Sequence, residues 1–164
     1  MKILKALLRL AASEVLCLFI DITFAASGST LIKLICLVCT VMLMISVLAD
    51  FSIKAAREDM KASRVSGEKT KISEIFAAGG AVAVPPLLSW IALCISAKGG
   101  AFDYYRWHKL LNAPFLQLYN IVSSSVYASE LSVTELEIMA VPIVFPALAV
   151  VIPYLAVCRK EAHK

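Results

Sequence analysis

The hydrophobic and polar positions of this chain fall into long blocks rather than short alternations. Apolar runs cover roughly residues 6–26, 31–49, 74–97 and 133–157, separated by polar stretches at 50–73 and 98–132. Each run is long enough, or nearly so, to cross a hydrocarbon core of about 30 Å as a helix rising about 1.5 Å per residue. The pattern therefore predicts an all-α integral membrane protein with four transmembrane helices forming a single membrane domain over 1–164. The turn-prone Ser27-Gly28-Ser29-Thr30 makes the first two spans an antiparallel hairpin, and Ser66-Gly67-Glu68 reads as a turn before the third span. Lys54 and Glu58 are spaced for an i,i+4 contact on a continuation of the second helix. Lys98-Gly99-Gly100 ends the third span. Ser132-Val133-Thr134-Glu135 has capping-box spacing and should start the fourth.

Residues 98–132 are the least conventional stretch. They open on the aromatic, basic run Phe102-Asp103-Tyr104-Tyr105-Arg106-Trp107-His108-Lys109 and continue through Pro114 to Val122. Asn112, Gln117, Asn120 and Ser123-Ser124-Ser125 are too polar for a fifth span. Pro114 near N1 would start a helix of about 14 residues, with Gln117, Asn120 and Ser124 on one stripe. Such a helix is too short to span, so it should be amphipathic and either interfacial or re-entrant. Tyr104, Tyr105, Trp107, Tyr119 and Tyr127 are then expected to contribute to an aromatic belt.

Composition agrees with this reading. Of 164 residues, 60% are hydrophobic and 17% charged, with mean hydropathy +0.84. The net charge of +4 gives no case for nucleic acid, because the basic residues flank apolar spans. Placing both termini and the basic loop 50–73 in the cytoplasm puts Lys2, Lys5, Arg9, six loop cations, Arg159, Lys160 and Lys164 inside. Lys33, Lys98, Arg106 and Lys109 stay outside. Twelve against four, accounting for all 16 Lys and Arg, is the asymmetry of a positive-inside topology. The expected location is a bacterial cytoplasmic membrane, N-in and C-in. Glu14 and Asp21 argue for a retained first helix over a cleaved signal peptide ending near Ala25-Ala26-Ser27.

Three features could carry chemistry. Glu14 and Asp21 are intramembrane acids on one face of the first helix, and such groups usually face protein or water. Asp21 is expected to pair with Lys33 across the hairpin, and Glu14 to snorkel toward Arg9. A polar cavity around the two acids would instead make them a proton- or cation-coupling element. Cys36-Leu37-Val38-Cys39 places two thiols on one helical face, level with Cys17. With four helices, cytoplasmic termini and this CxxC, the architecture resembles the quinone-coupled thiol oxidases of bacterial inner membranes. That resemblance implies a thiol-disulfide oxidoreductase using Cys36 and Cys39. The chain departs from it in having no cysteine pair between Lys98 and Ser132, and Met42, Leu43 and Met44 where a basic residue follows the motif. Five cysteines, most of them in apolar runs, do not form a disulfide framework.

The third feature is the proline-broken helices. Pro85-Pro86 and Pro142/Pro146, with Pro153, free carbonyls near mid-span in two helices. Non-helical backbone at that depth must be buried or line a cavity, and paired interruptions point to transporter-type sites. Gly79-Gly80 allows close helix approach.

Trp107, Gln117, Tyr119, Asn120, Ser124, Pro85, Pro86, Pro142 and Pro146 are thus the binding candidates. No phosphate-binding loop, HExxH or nucleophile elbow occurs, and His108 and His163 read as surface or interfacial residues rather than metal ligands. The expected role is non-covalent: a subunit or accessory of a transport or envelope complex, without a cofactor, acting as a homo-oligomer or beside a larger membrane protein.

Overall fold

A computed structural model of the chain describes residues 2–24, 29–66 and 72–162. All regular structure among them is helical. The helices are α1 (Lys2–Phe24), α2 (Thr30–Ser66), α3 (Ile72–Ala97), α4 (Tyr105–Leu110), α5 (Leu116–Val122), α6 (Val133–Ala140) and α7 (Val144–Ala162), with single 3-10 turns at Ala113–Phe115, Ala128–Glu130 and Val141–Ile143. Three helical stretches, Thr30–Val65, Ile72–Ala97 and Val133–Lys160, are long and apolar enough to cross a membrane. The 23-residue α1 has the length, but any 18 consecutive residues of it include at least three of Lys2, Lys5, Arg9, Glu14 and Asp21. The expected turns at 27–28 and 67–68 lie outside the described residues.

The four long units form a ring in which α1 packs on α2 and α3, and α7 packs on the same two. Side chains at helical spacing supply the core: Ala6, Leu10 and Cys17 from α1, Met44 and Leu48 from α2, Ile75, Val82 and Leu93 from α3, and Val150 and Tyr154 from α7 are all buried. Gly79 brings α3 against α7. A methyl placed there would lie 2.7 Å from Val151 Cγ2, so only glycine permits the observed approach.

Element boundaries follow local chemistry. α3 stops in a Schellman arrangement: Gly99 takes φ +96°, Gly99 N–H donates to Ser96 O at 3.2 Å and Gly100 N–H to Ile95 O at 3.2 Å. α6 starts on the capping box, with Glu135 N–H donating to Ser132 Oγ at 3.3 Å and Ser132 N–H to Glu135 Oε2 at 2.7 Å. Pro142 ends α6 in a 3-10 turn, and the carbonyl of Ile138 that it frees accepts from Val141 N–H instead. Pro85, Pro86 and Pro153 lie inside continuous helices, and Ser52 Oγ donates to Val150 O at 2.6 Å beside the Pro153 interruption.

The end of the bundle carrying both chain termini is tied by charge. Lys2 Nζ lies 2.6 Å from Asp59 and 3.1 Å from Glu74, and Tyr154 Oη donates to the same Asp59 oxygen at 2.6 Å. One cluster thus joins α1, α2, α3 and α7. Lys54 pairs with Asp50 at 2.9 Å rather than with Glu58.

Residues 98–132 depart most from expectation. Their longest helix, α5, has 7 residues, half the predicted length, and ends before Ser123. Instead of lying across the end of the bundle, Ala113–Phe115 and α5 descend between α1 and α2. The aromatic side chains follow. Of the five expected in the belt, Tyr105 and Tyr119 are core residues at 1% exposure each, Tyr104 is half-buried, and Trp107 and Tyr127 face outward.

Candidate functional site

The descending segment is held by polar groups that α1 and α2 present at different depths. Glu14, halfway along α1, accepts a hydrogen bond from Ala113 N–H at 2.8 Å. That N–H opens a 3-10 turn and has no partner within it, so a carboxylate there meets both an orphan donor and the positive end of the turn. On the facing side, Thr40 Oγ1 lies 2.9 Å from Pro114 O, and its one proton is shared with Cys36 O and Leu37 O at 3.0 Å each. Toward the end where α1 finishes and α2 begins, Asp21 Oδ1 accepts from Gln117 Nε2 at 2.9 Å and from Cys36 Sγ at 3.2 Å. Cys17 Sγ donates to Thr40 O at 3.3 Å, which closes a polar seam between the helices.

The two acids therefore do something other than expected. Asp21 is held by an amide and a thiol, and no ion pair links it to Lys33, although both line one pocket. Glu14 turns toward the inserted backbone rather than snorkelling toward Arg9, which lies 3.9 Å from Asp50 instead. The physical reason is the same for both. Burial of a carboxylate is offset by the nearest fixed donors, and the segment brings those donors from 96 and 99 residues away.

A second set of contacts fixes the segment to α3. His108 is 1% exposed, with Nδ1 3.0 Å from Ser89 Oγ and its ring tilted 42° against that of Tyr119 at 5.0 Å between centroids. Its Nε2 is buried without a partner. Asn112 Nδ2 donates to His108 O at 2.9 Å and to Ser89 Oγ at 3.3 Å. Lys109 Nζ sits 4.0 Å above the Tyr105 ring and donates to Asn120 Oδ1 at 3.0 Å. The surface position expected for His108 is thus wrong: its partners lie on α3 and α5, invisible to a reading of its own neighbours. A histidine flanked by aromatic residues and followed four positions later by Asn112 was the available signal.

Three cavities adjoin this framework. A groove of about 370 Å³ between α1 and α3 is lined by Leu10, Val15, Pro85, Pro86 and Leu111, with Glu14 its one ionisable group. A pocket of about 290 Å³ near the α1–α2 hairpin end gathers Asp21, Lys33, Gln117 and Asn120. A third, of about 590 Å³ at the end carrying the termini, is lined by Lys2, Lys5, Arg9, Lys54 and Glu58. Lys2, Arg9 and Lys54 there each already face a carboxylate.

The structure brings Pro85 and Pro86 to the Glu14 groove, and Gln117 and Asn120 to the Asp21 pocket. It leaves Trp107 at 52% exposure and Ser124 exposed outside α5, and places Tyr119 in the core. Pro142 and Pro146 are buried and line none of these three cavities. Cys36 is buried against Asp21 while Cys39 is exposed, so the two thiols do not share one environment. Among the described residues no three His, Cys, Asp or Glu side chains converge as a metal site. No protein-family model matches the chain, and no curated protein or solved structure is significantly similar to it.

Proposed function

We propose that the chain is a four-span membrane protein with both termini cytoplasmic, α1 being the fourth span, and that residues 98–132 re-enter the membrane from the opposite face. It works by non-covalent binding, as a subunit or accessory of a transport or envelope complex. The observation that carries this reading is the seat of residues 113–117 on Glu14, Thr40 and Asp21. Thr40 lies ten residues into α2, about 15 Å below its start at 1.5 Å per residue. Irregular backbone at half the depth of a bilayer survives where it is buried in protein or lines a cavity, and both conditions are met here. The charge cluster joining Lys2, Asp59, Glu74 and Tyr154 supports placing both termini and the 50–73 loop on one side. The twelve-to-four distribution of basic residues supports that side being cytoplasmic.

Two measurements test the proposal. In a cysteine-free background, single cysteines at Val65 and Ser124 should react with an impermeant maleimide from opposite sides of the membrane. Purification in mild detergent should yield an oligomer or a partner. Labelling from one side, or a monomer without partner or bound lipid, overturns it.

A second reading, cation or proton coupling through Glu14 and Asp21, is favoured by one observation: Asp21 is buried, Glu14 is half-buried, and neither has a cation within ion-pair distance among the described residues. It predicts that Glu14→Gln alters the pH dependence of ion flux in reconstituted vesicles. Unchanged flux and pH profile would exclude it.

A further inference from the structure

The pocket at the hairpin end of α1 and α2 carries two opposite charges that do not neutralise each other. Asp21 is 2% exposed. Its Oδ1 is occupied by Gln117 and Cys36, while Oδ2 has no hydrogen-bond partner. Lys33, one turn into α2, lines the same pocket half-buried and makes no ion pair among the described residues. The remaining polar wall is amide, Gln117 and Asn120, and the Asn120 oxygen is already taken by Lys109. The rest is apolar and partly open, with Ile22 and Phe24 exposed at 65% and 47%.

Such walls discriminate by charge pattern. A simple cation would satisfy Asp21 but meet an uncompensated Lys33. A simple anion would satisfy Lys33 and leave the buried carboxylate oxygen unpaired. A molecule bearing both charges satisfies both walls, and leaving a buried partner group unpaired is what makes a site reject the alternatives. The volume of about 290 Å³ is at the lower end for ligand pockets, which suits a headgroup or an amino acid better than a large solute.

We propose that this pocket binds a small zwitterion, its ammonium group at Asp21, its carboxylate or phosphate at Lys33, and its apolar part along Ile22 and Phe24. The inference rests on the reading of the re-entrant seat as a non-covalent binding site and assigns it a ligand class. An apolar free amino acid and the headgroup of an ethanolamine phospholipid present the same chemistry, and the test separates them.

The full chain in detergent is examined by native mass spectrometry with phosphatidylethanolamine, phosphatidylcholine and phosphatidylglycerol. It is examined by thermal shift with leucine, N-acetyl-leucine and leucinamide. Selective retention of phosphatidylethanolamine identifies the lipid as the source. Stabilisation by leucine, but by neither singly charged derivative, identifies the amino acid. In either case Asp21→Asn and Lys33→Gln should each weaken binding about tenfold or more, as expected for a lost charge-assisted hydrogen bond. Asp21 also anchors Gln117, so Lys33→Gln, at a half-buried position, is the variant that separates binding from folding. Binding of no probe, equal binding of the singly charged or bulky-headed probes, or unchanged binding by Lys33→Gln overturns the proposal. These readouts do not depend on orientation or oligomeric state, so a monomeric particle would sink the complex-subunit reading and leave this result standing.

Discussion

Replacing Gly79 by alanine probes the close approach of α3 to α7. The added methyl would fall 2.7 Å from Val151 Cγ2 and 3.5 Å from Ala147 O. Carbon atoms rest at about 3.5–4.0 Å, so the first contact overlaps by close to 1 Å. Val151 is β-branched and within a helix it has essentially one χ1 well, so relief requires α7 to move. Overpacking of this kind costs about 1–3 kcal/mol. Alanine also gains roughly 0.8–1 kcal/mol of helix propensity over glycine, which would mask part of the loss. Gly80 provides the control, since a methyl there meets nothing within 4 Å while gaining the same propensity. The expected result is that Gly79→Ala is less stable than Gly80→Ala by about 1–3 kcal/mol. The assay is reversible unfolding in mixed micelles, followed by helical circular dichroism. In a Val151→Ala background the obstructing carbon is gone, and the gap should shrink to within about 0.5 kcal/mol. Equal stability of the two glycine variants, or a gap that persists without the Val151 methyl groups, refutes the close-approach argument.

Two further substitutions test the seat and the helix start. Glu14→Leu removes the acceptor of Ala113 N–H, an expected loss of about 1–3 kcal/mol, whereas Glu14→Gln keeps a carbonyl acceptor and should lose less. Amide hydrogen exchange over residues 111–117 should quicken in the order wild type, Gln, Leu, and identical protection in all three would contradict the contact. Ser132→Ala dismantles the capping box at the start of α6 and should cost about 0.5–2 kcal/mol, with the fastest-exchanging new amide at Glu135. An unchanged Glu135 amide would show that the box contributes nothing in solution.

The parts of the fold legible in the sequence are those set by neighbours along the chain. Three of the four apolar runs, the glycine pair after Lys98 and the Ser132–Glu135 spacing each act within a few residues, and these appear where expected. The seat of residues 113–117 was only half legible. Helical spacing puts Gln117 and Asn120 on one polar stripe, and both line the Asp21 pocket. Nothing local says that this stripe faces α1, because its partners are 96 and 99 residues away in sequence. Tyr105, His108 and Tyr119 were misplaced for the same reason. Amphipathic residues suit an interface and a polar core equally well, and for His108 the choice depends on whether Ser89 and Asn112 are there to receive it. The Asp21–Lys33 pairing failed because equal depth in a hairpin does not fix side-chain direction, and Gln117 offered a nearer donor.

In the proposed four-span topology, the seat of residues 113–117 also imposes an order on assembly. Chains emerge and insert from the N-terminus, so α1 and α2 exist as a hairpin well before residues 113–117 are made. Until then Glu14 lacks its Ala113 donor and Asp21 has only the Cys36 thiol, Gln117 being still to come. Acids so exposed to lipid are costly, so the hairpin is least at ease in the membrane during that interval. The bundle can close around residues 113–117 only after α3 has crossed and the chain has turned back. In that topology the last step of folding is the docking of residues 113–117 between α1 and α2, which brings Glu14 and Asp21 the donors they lack.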